Sequence, residues 1–215
     1  MELVQPYREQ TYYFIDICGV SRKLPLRRVD EDTWVASNHV VIFGDTELIK
    51  RSSKELSSRL SAYDIDIVVT AEAKAEVLAY ELTKNLGLPY FIVCRKQVKS
   101  YMKNPLTTEL RSITTKEPQV LALDQMDVDK ISGKNVLLVD DVVTTGGNMN
   151  AMERLVKKAG GKIKAKACIW IEGIPLTRAA NHAREHLVYL GYLPIFYSKE
   201  RYNEVMIEKK VKSRY

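Results

Sequence analysis

The feature that most constrains this chain is a series of short apolar runs separated by helix-like segments. The runs cover residues 65–70, 90–94, 136–139 and 163–171. Between and after them, residues 75–86, 151–159 and 177–186 carry helical patterns. The first of these is followed by Gly87 and the second by Gly160-Gly161, where a chain leaving a helix needs a residue tolerant of positive φ. Parallel strands covered on both faces read as near-continuous apolar runs, and helices supply the crossovers between them. The expected fold class is therefore α/β: a parallel sheet core with helices on both faces. Ligands of such sheets bind beyond the carboxyl ends of the strands, so the residues just after each run matter most.

The flanking regions differ from this core. Residues 1–44 are rich in strand formers, as in Tyr12-Tyr13-Phe14-Ile15 and Val40-Val41-Ile42-Phe43, and predict two or three short strands in a small antiparallel unit. Asp45 is the expected N-cap of the first core helix, with Leu48, Ile49, Leu56 and Leu60 at helical spacing behind it. The core is thus expected over residues 45–198, with a small unit at 1–44 and a basic tail at 199–215. Residues 95–119 have no clear period. A connection of that length in a compact domain is functional or mobile, and residues 106–115 are expected as one arm of a hairpin.

The 33 Lys and Arg against 27 Asp and Glu leave a net charge of +6, which admits nucleic acid or a smaller anion as partner. Half of the excess lies in the tail, where Lys199, Arg201, Lys209, Lys210, Lys212 and Arg214 face only Glu200, Glu204 and Glu208. A hydrophobic share of 46% with 28% charged residues excludes a disordered chain. Cys18, Cys94 and Cys168 are widely spaced and sit in apolar surroundings, as expected of reduced thiols in a cytoplasmic protein. The first twenty residues contain no signal-peptide h-region, and no apolar run reaches the ~18 residues of a membrane span.

The strongest chemical signal follows residues 136–139. It reads Asp140-Asp141-Val142-Val143-Thr144-Thr145-Gly146-Gly147-Asn148 and leads into a helix. Two adjacent carboxylates at a strand end can hold vicinal sugar hydroxyls, directly or through a metal. Thr144 and Thr145 offer hydroxyl donors. Gly146 and Gly147 let successive backbone N–H groups turn into one concavity, and the helix that starts there adds its positive end. Carboxylates beside such a cradle fit a ribose 5′-phosphate. No Lys follows the glycines, so the string is not a P-loop, and the dinucleotide fingerprint is absent.

This string resembles the phosphoribosyl-diphosphate (PRPP) signature of the type I phosphoribosyltransferases. Three further segments are similar to family features. Glu72-Ala73-Lys74 follows the run at 65–70 and looks like the family's pyrophosphate loop, most of all the Glu-Ala-Arg-Gly stretch of the adenine-using members. Here Lys74 replaces Arg and Ala75 replaces Gly. Arg95-Lys96 with Lys99 resembles the basic cluster that opens a flap over the active site. Within the flap, Glu109 is the candidate for the glutamate of adenine enzymes, whose usual Tyr-x-Leu-Glu-Tyr-Gly string is absent here. The family binds its base under a variable hood, for which residues 1–44 are the candidate, and Val20 with Arg22 could match an aliphatic-x-Arg base-binding element.

The resemblance implies the type I phosphoribosyltransferase fold and transfer of a phosphoribosyl group from PRPP to a purine, with adenine giving AMP and pyrophosphate. It implies Mg²⁺ as cofactor, held by Asp140 and Asp141, and a homodimer. A xanthine, hypoxanthine or guanine substrate remains an alternative. So does a PRPP-binding transcriptional regulator of purine genes, although residues 1–44 read as strands and are short for a winged helix; nucleic acid is an unlikely partner on that ground. His182 and His186, four apart on one expected helical face, read as surface histidines, and Trp34 and Trp170 as packing residues.

Overall fold

A computed structural model describes residues 3–110 and 119–212. Its centre is a five-stranded, all-parallel sheet. The strands are β5 (Ile67–Ala71), β6 (Phe91–Cys94), β9 (Asn135–Val143), β10 (Lys162–Glu172) and β11 (Leu187–Leu193), in the spatial order β11-β10-β9-β5-β6. After β5 the chain steps outward to β6, then returns to the other side of β5 to lay down β9. The order reverses between β5 and β9, which opens a crevice at their carboxyl ends.

Alternation along β9 divides the core. Leu137 and Val139 pack with Leu48, Leu56, Leu78 and Leu82 on one face, from α2 (Thr46–Arg59) and α3 (Glu76–Asn85). Val136 and Leu138 pack on the other with Ile131 of α4 (Gln125–Ile131), Met152 and Leu155 of α5 (Gly147–Lys158) and Ala183 of α6 (Arg178–Arg184). Local signals fix the helix ends. Asp45 accepts from the Leu48 N–H at 3.0 Å, and Thr177 accepts from the Ala180 N–H at 3.1 Å. Gly87, just past α3, takes φ 70°, the left-handed conformation that ends a helix cheaply.

A second sheet stands over the crevice. It holds β1 (Val4–Pro6), β2 (Tyr12–Ile17), β3 (Val20–Arg28), β4 (Thr33–Ala36) and β12 (Ile195–Tyr197), in the order β1-β12-β4-β3-β2. The apolar stretch at 187–197 is thus two strands in two sheets, with Pro194 between them. The tail forms α7 (Lys199–Lys212), which packs on β1 and β12. The expected strand at residues 40–43 is instead α1 (His39–Gly44). The Ile42 N–H bonds back to the Asn38 carbonyl, and the Ile42 side chain is fully buried against the α2 and α3 face, so tertiary packing overrides strand propensity there. In the long connection, β7 (Leu106–Leu110) pairs antiparallel with β8 (Gln119–Leu123). The remainder of the expected arm at 106–115 lies outside the described residues.

Candidate active site

A cleft of about 460 Å³ lies at the crevice between β5 and β9. It is lined by residues 71–74 after β5, residues 140–149 from β9 into α5, and residues 35–38 from the second sheet, with Lys96, Leu110 and Glu172. The topological switch thus brings together two of the sequence-expected loops, 72–74 and 140–148.

Asp140 and Asp141 belong to β9 itself rather than to the turn after it, because the strand continues to Val143. Both are more than nine-tenths buried. Their donors are amides: the Asn38 Nδ2 donates to Asp141 at 2.9 Å, the Asn148 Nδ2 to Asp140 at 3.3 Å and the Asp141 N–H to Asp140 at 3.0 Å. Among the described residues no cation pairs with either carboxylate. Burial, and then the charge of Asp141, pushes Asp140 well above the ordinary aspartate range.

The cradle begins at Thr144. Its hydroxyl, expected as a phosphate donor, instead donates to Glu172 at 2.7 Å. Burial raises Glu172, although the Thr144 hydrogen bond works against it. Gly146 takes φ 77°, and a Cβ there would lie 2.2 Å from the Ala183 Cβ, so α6 packs directly on this turn. Thr145 and Gly147, the first residue of α5, also line the cleft.

On the β5 side, the Glu72–Ala73 peptide is cis, and Ala73 and Lys74 face the cleft. The Glu72 carboxylate accepts from the Lys96 N–H at 2.9 Å and from Arg95 at 2.8 Å. Burial pushes Glu72 up, but these bonds hold it below the usual glutamate range. Glu72 therefore fastens the 72–74 loop to the start of the long connection after β6. Lys96 lines the cleft, Arg95 is engaged with Glu72, and Lys99 lies outside the lining.

Three sequence expectations are corrected. Val20 is buried in the core, and Arg22 bonds Asp45 and Glu47 at the start of α2, so neither reaches the cleft. Cys18 and Gly19, both at positive φ, form a two-residue hairpin turn that turns this arm toward α2, and residues 35–38 take the position facing the acid pair. Glu109 is exposed on β7. Strand alternation turns its neighbour Leu110 inward instead. His186 lies beyond α6 and does not share a helical face with His182, which bonds Glu153 and Glu185.

Two residues of the cleft, Asn38 and Glu172, were not singled out in the sequence, nor was Arg184, which bonds the ends of β9 and β10 from outside it. Glu172 ends the run at 163–171 and was within reach of the strand-end rule. Asn38 and Arg184 carry no local signal.

A family model described as "Phosphoribosyl transferase domain" matches residues 42–187. The adenine phosphoribosyltransferase of Pseudothermotoga lettingae is 35% identical over 160 residues, spanning 69% of this chain and 86% of that protein. That of Thermosipho africanus is 34% identical over 133 residues, spanning 56% of this chain and 68% of the relative. A crystal structure of adenine phosphoribosyltransferase from Thermoanaerobacter pseudethanolicus superposes with a TM-score of 0.60 at 19% identity, covering 85% of this chain and 95% of that one, a likeness of fold. With the family model spanning most of the sheet and both loops of the cleft, the chain belongs to the phosphoribosyl transferase family.

Proposed function

We propose that this protein is an adenine phosphoribosyltransferase acting in purine salvage. The observation that carries the reading is the joining, in one cleft, of a buried acid pair, a glycine-rich cradle at the start of α5 and the 72–74 loop with Lys74. The names of its relatives favour adenine as the base.

In this reading Asp140 and Asp141 hold the ribose hydroxyls. Residues 144–148 bind the 5′-phosphate, with the backbone N–H groups of the turn as donors. Ala73 and Lys74, with Lys96 beside them, take the diphosphate as it leaves. A bond forms between a purine ring nitrogen and C1′, and the C1′–O bond to diphosphate breaks with its electron pair going to the leaving group. The ring nitrogen gives up its proton to water or to the departing diphosphate. Fixed cations and N–H donors on the leaving group lower the barrier most, since charge develops there. The base would lie beneath residues 35–38.

The acid pair also suits Mg²⁺. Two buried carboxylates, unpaired with any cation among the described residues, offer the limited protein ligation this ion prefers, the rest coming from phosphates and water. No group of three or more metal-binding side chains occurs among the described residues. Bound there, the ion would neutralise charge on the diphosphate. The protein is further read as a cytoplasmic homodimer. Cys18, Cys94 and Cys168 are free thiols, and no described helix is long and apolar enough to cross a membrane.

The test is a panel of bases incubated with PRPP and Mg²⁺ and scored for nucleotide. AMP from adenine is the expected product. Preferred turnover of hypoxanthine or guanine would move the base assignment. PRPP binding without product from any base would favour a regulator.

A further inference from the structure

The Arg184 guanidinium donates to four carbonyl oxygens at the ends of two strands. It meets Gly173 at 2.8 Å, Glu172 at 2.7 Å, Thr144 at 2.8 Å and Val143 at 3.3 Å. The residue does not line the cleft. Its Nε is buried without a partner among the described residues, so the side chain is held in place at a cost. Burial lowers its pKa from the ordinary arginine value. A tie between α6 and the sheet could be made by apolar contacts. A guanidinium directed at four carbonyls calls for another account.

The geometry of the peptide group gives one. In a trans peptide the C=O and the following N–H point in opposite directions. The Val143 and Thr144 carbonyls accept from Arg184, so the N–H groups of Thr144 and Thr145 point away from it, and both residues line the cleft while Arg184 does not. The Thr144 hydroxyl is already used by Glu172, which leaves the backbone N–H as the donor that Thr144 can offer an anion. A cation on the carbonyl side of a peptide polarises it and strengthens its N–H as a donor.

We infer that Arg184 is the positioning residue of the phosphate cradle, aiming and polarising the Thr144 and Thr145 N–H groups toward the 5′-phosphate from the far side of their peptides. This rests on the reading of residues 144–148 as the 5′-phosphate site.

The test uses Arg184→Lys and Arg184→Ala in the full chain, with ribose 5-phosphate as probe. Calorimetry should show a Kd for ribose 5-phosphate raised roughly 30-fold in Arg184→Lys, since a single ammonium replaces a fork of donors. The KM for PRPP should rise while the KM for adenine stays within about two-fold. Non-denaturing guanidinium should restore part of the ribose 5-phosphate affinity of Arg184→Ala. In the wild type, the Thr145 amide resonance should shift on adding ribose 5-phosphate, a measurement that holds even where the variants fail to fold. Equal Kd in wild type and Arg184→Lys would overturn the inference alone, as would parallel losses for both substrates without rescue, or an unmoved Thr145 amide in the bound wild type. A wild type that binds no ribose 5-phosphate would remove the cradle itself.

Discussion

Asn38 donates its side-chain amide to Asp141 at 2.9 Å across a sequence separation of 103 residues. Both side chains are buried, and they join the segment after β4 to the acid pair on β9. The second sheet is thereby fixed relative to the residues that would hold the sugar. Replacing Asn38 by Ala leaves Asp141 short of its donor and should lower kcat/KM for PRPP about ten-fold with folding intact. Asn38→Asp keeps the shape but adds a third carboxyl, and should lose more at low Mg²⁺ than at high. Steady-state kinetics across a Mg²⁺ titration separates the two effects.

The acid pair should cost stability in exchange for function. An aspartate whose folded-state pKa is raised contributes fully below its unfolded value of about 3.9, and loses that contribution as pH rises through the folded value. Asp140 is in that position. Asp140→Asn should therefore raise the Tm of the ligand-free protein at pH 7, by about 2–4 °C for each kcal/mol relieved, and have little effect near pH 4. The same variant should lose at least about 10²-fold in turnover. Thermal scans at the two pH values, paired with activity, check both signs. A lower Tm at pH 7 would contradict the desolvation account.

Gly146 is constrained twice, by φ 77° and by Ala183. Gly146→Val should abolish PRPP binding and destabilise the fold by about 3 kcal/mol or more, since it combines backbone strain with overpacking. In the milder Gly146→Ala, adding Ala183→Gly should recover part of the stability by removing the 2.2 Å approach but not the strain in φ. Denaturant melts of the single and double variants measure this coupling.

Two turns along α5 from Gly146, on the same side facing α6, Glu153 binds Lys157 at 2.6 Å, Lys166 at 2.8 Å and His182 at 3.2 Å. Glu153 and Lys166 are both buried. Burial opposes ionisation, yet the two lysines hold Glu153 down to about 2. Its contribution to stability is present above the unfolded value near 4.3 and is lost as pH falls through about 2. Glu153→Ala should cost about 3–5 kcal/mol by stranding the Lys166 charge, and adding Lys166→Met should restore most of it. Urea melts at neutral pH decide the matter.

Much of this was legible in the sequence. The apolar runs marked the parallel strands, and Asp45 marked the start of α2, because those signals are local. The acid pair and the glycine turn were legible because their chemistry is packed into nine consecutive residues. Failures came where tertiary contact decides. Residues 40–43 look like a strand but wind into α1 because Ile42 is buried on the helical face. Arg22 looks like a base-site residue but finds Asp45 and Glu47 first. Asn38 and Arg184 act only through partners far away in the chain, so no window of sequence could reveal them.

The second sheet closes on a pairing of Val4 with Ile195, its first strand lying parallel to its last. During synthesis β1 leaves the ribosome early and must wait for β12, and contacts so distant in sequence form late and slowly. The parallel core, whose strands end at Leu193, can assemble before that. A chain stalled or cleaved just after β11 would then keep the acid pair and the glycine turn in place while β1 and β4 lacked the strand that joins them. Such a fragment would carry the cleft's sheet-borne residues beneath a second sheet split at its middle, with β1 left unpaired.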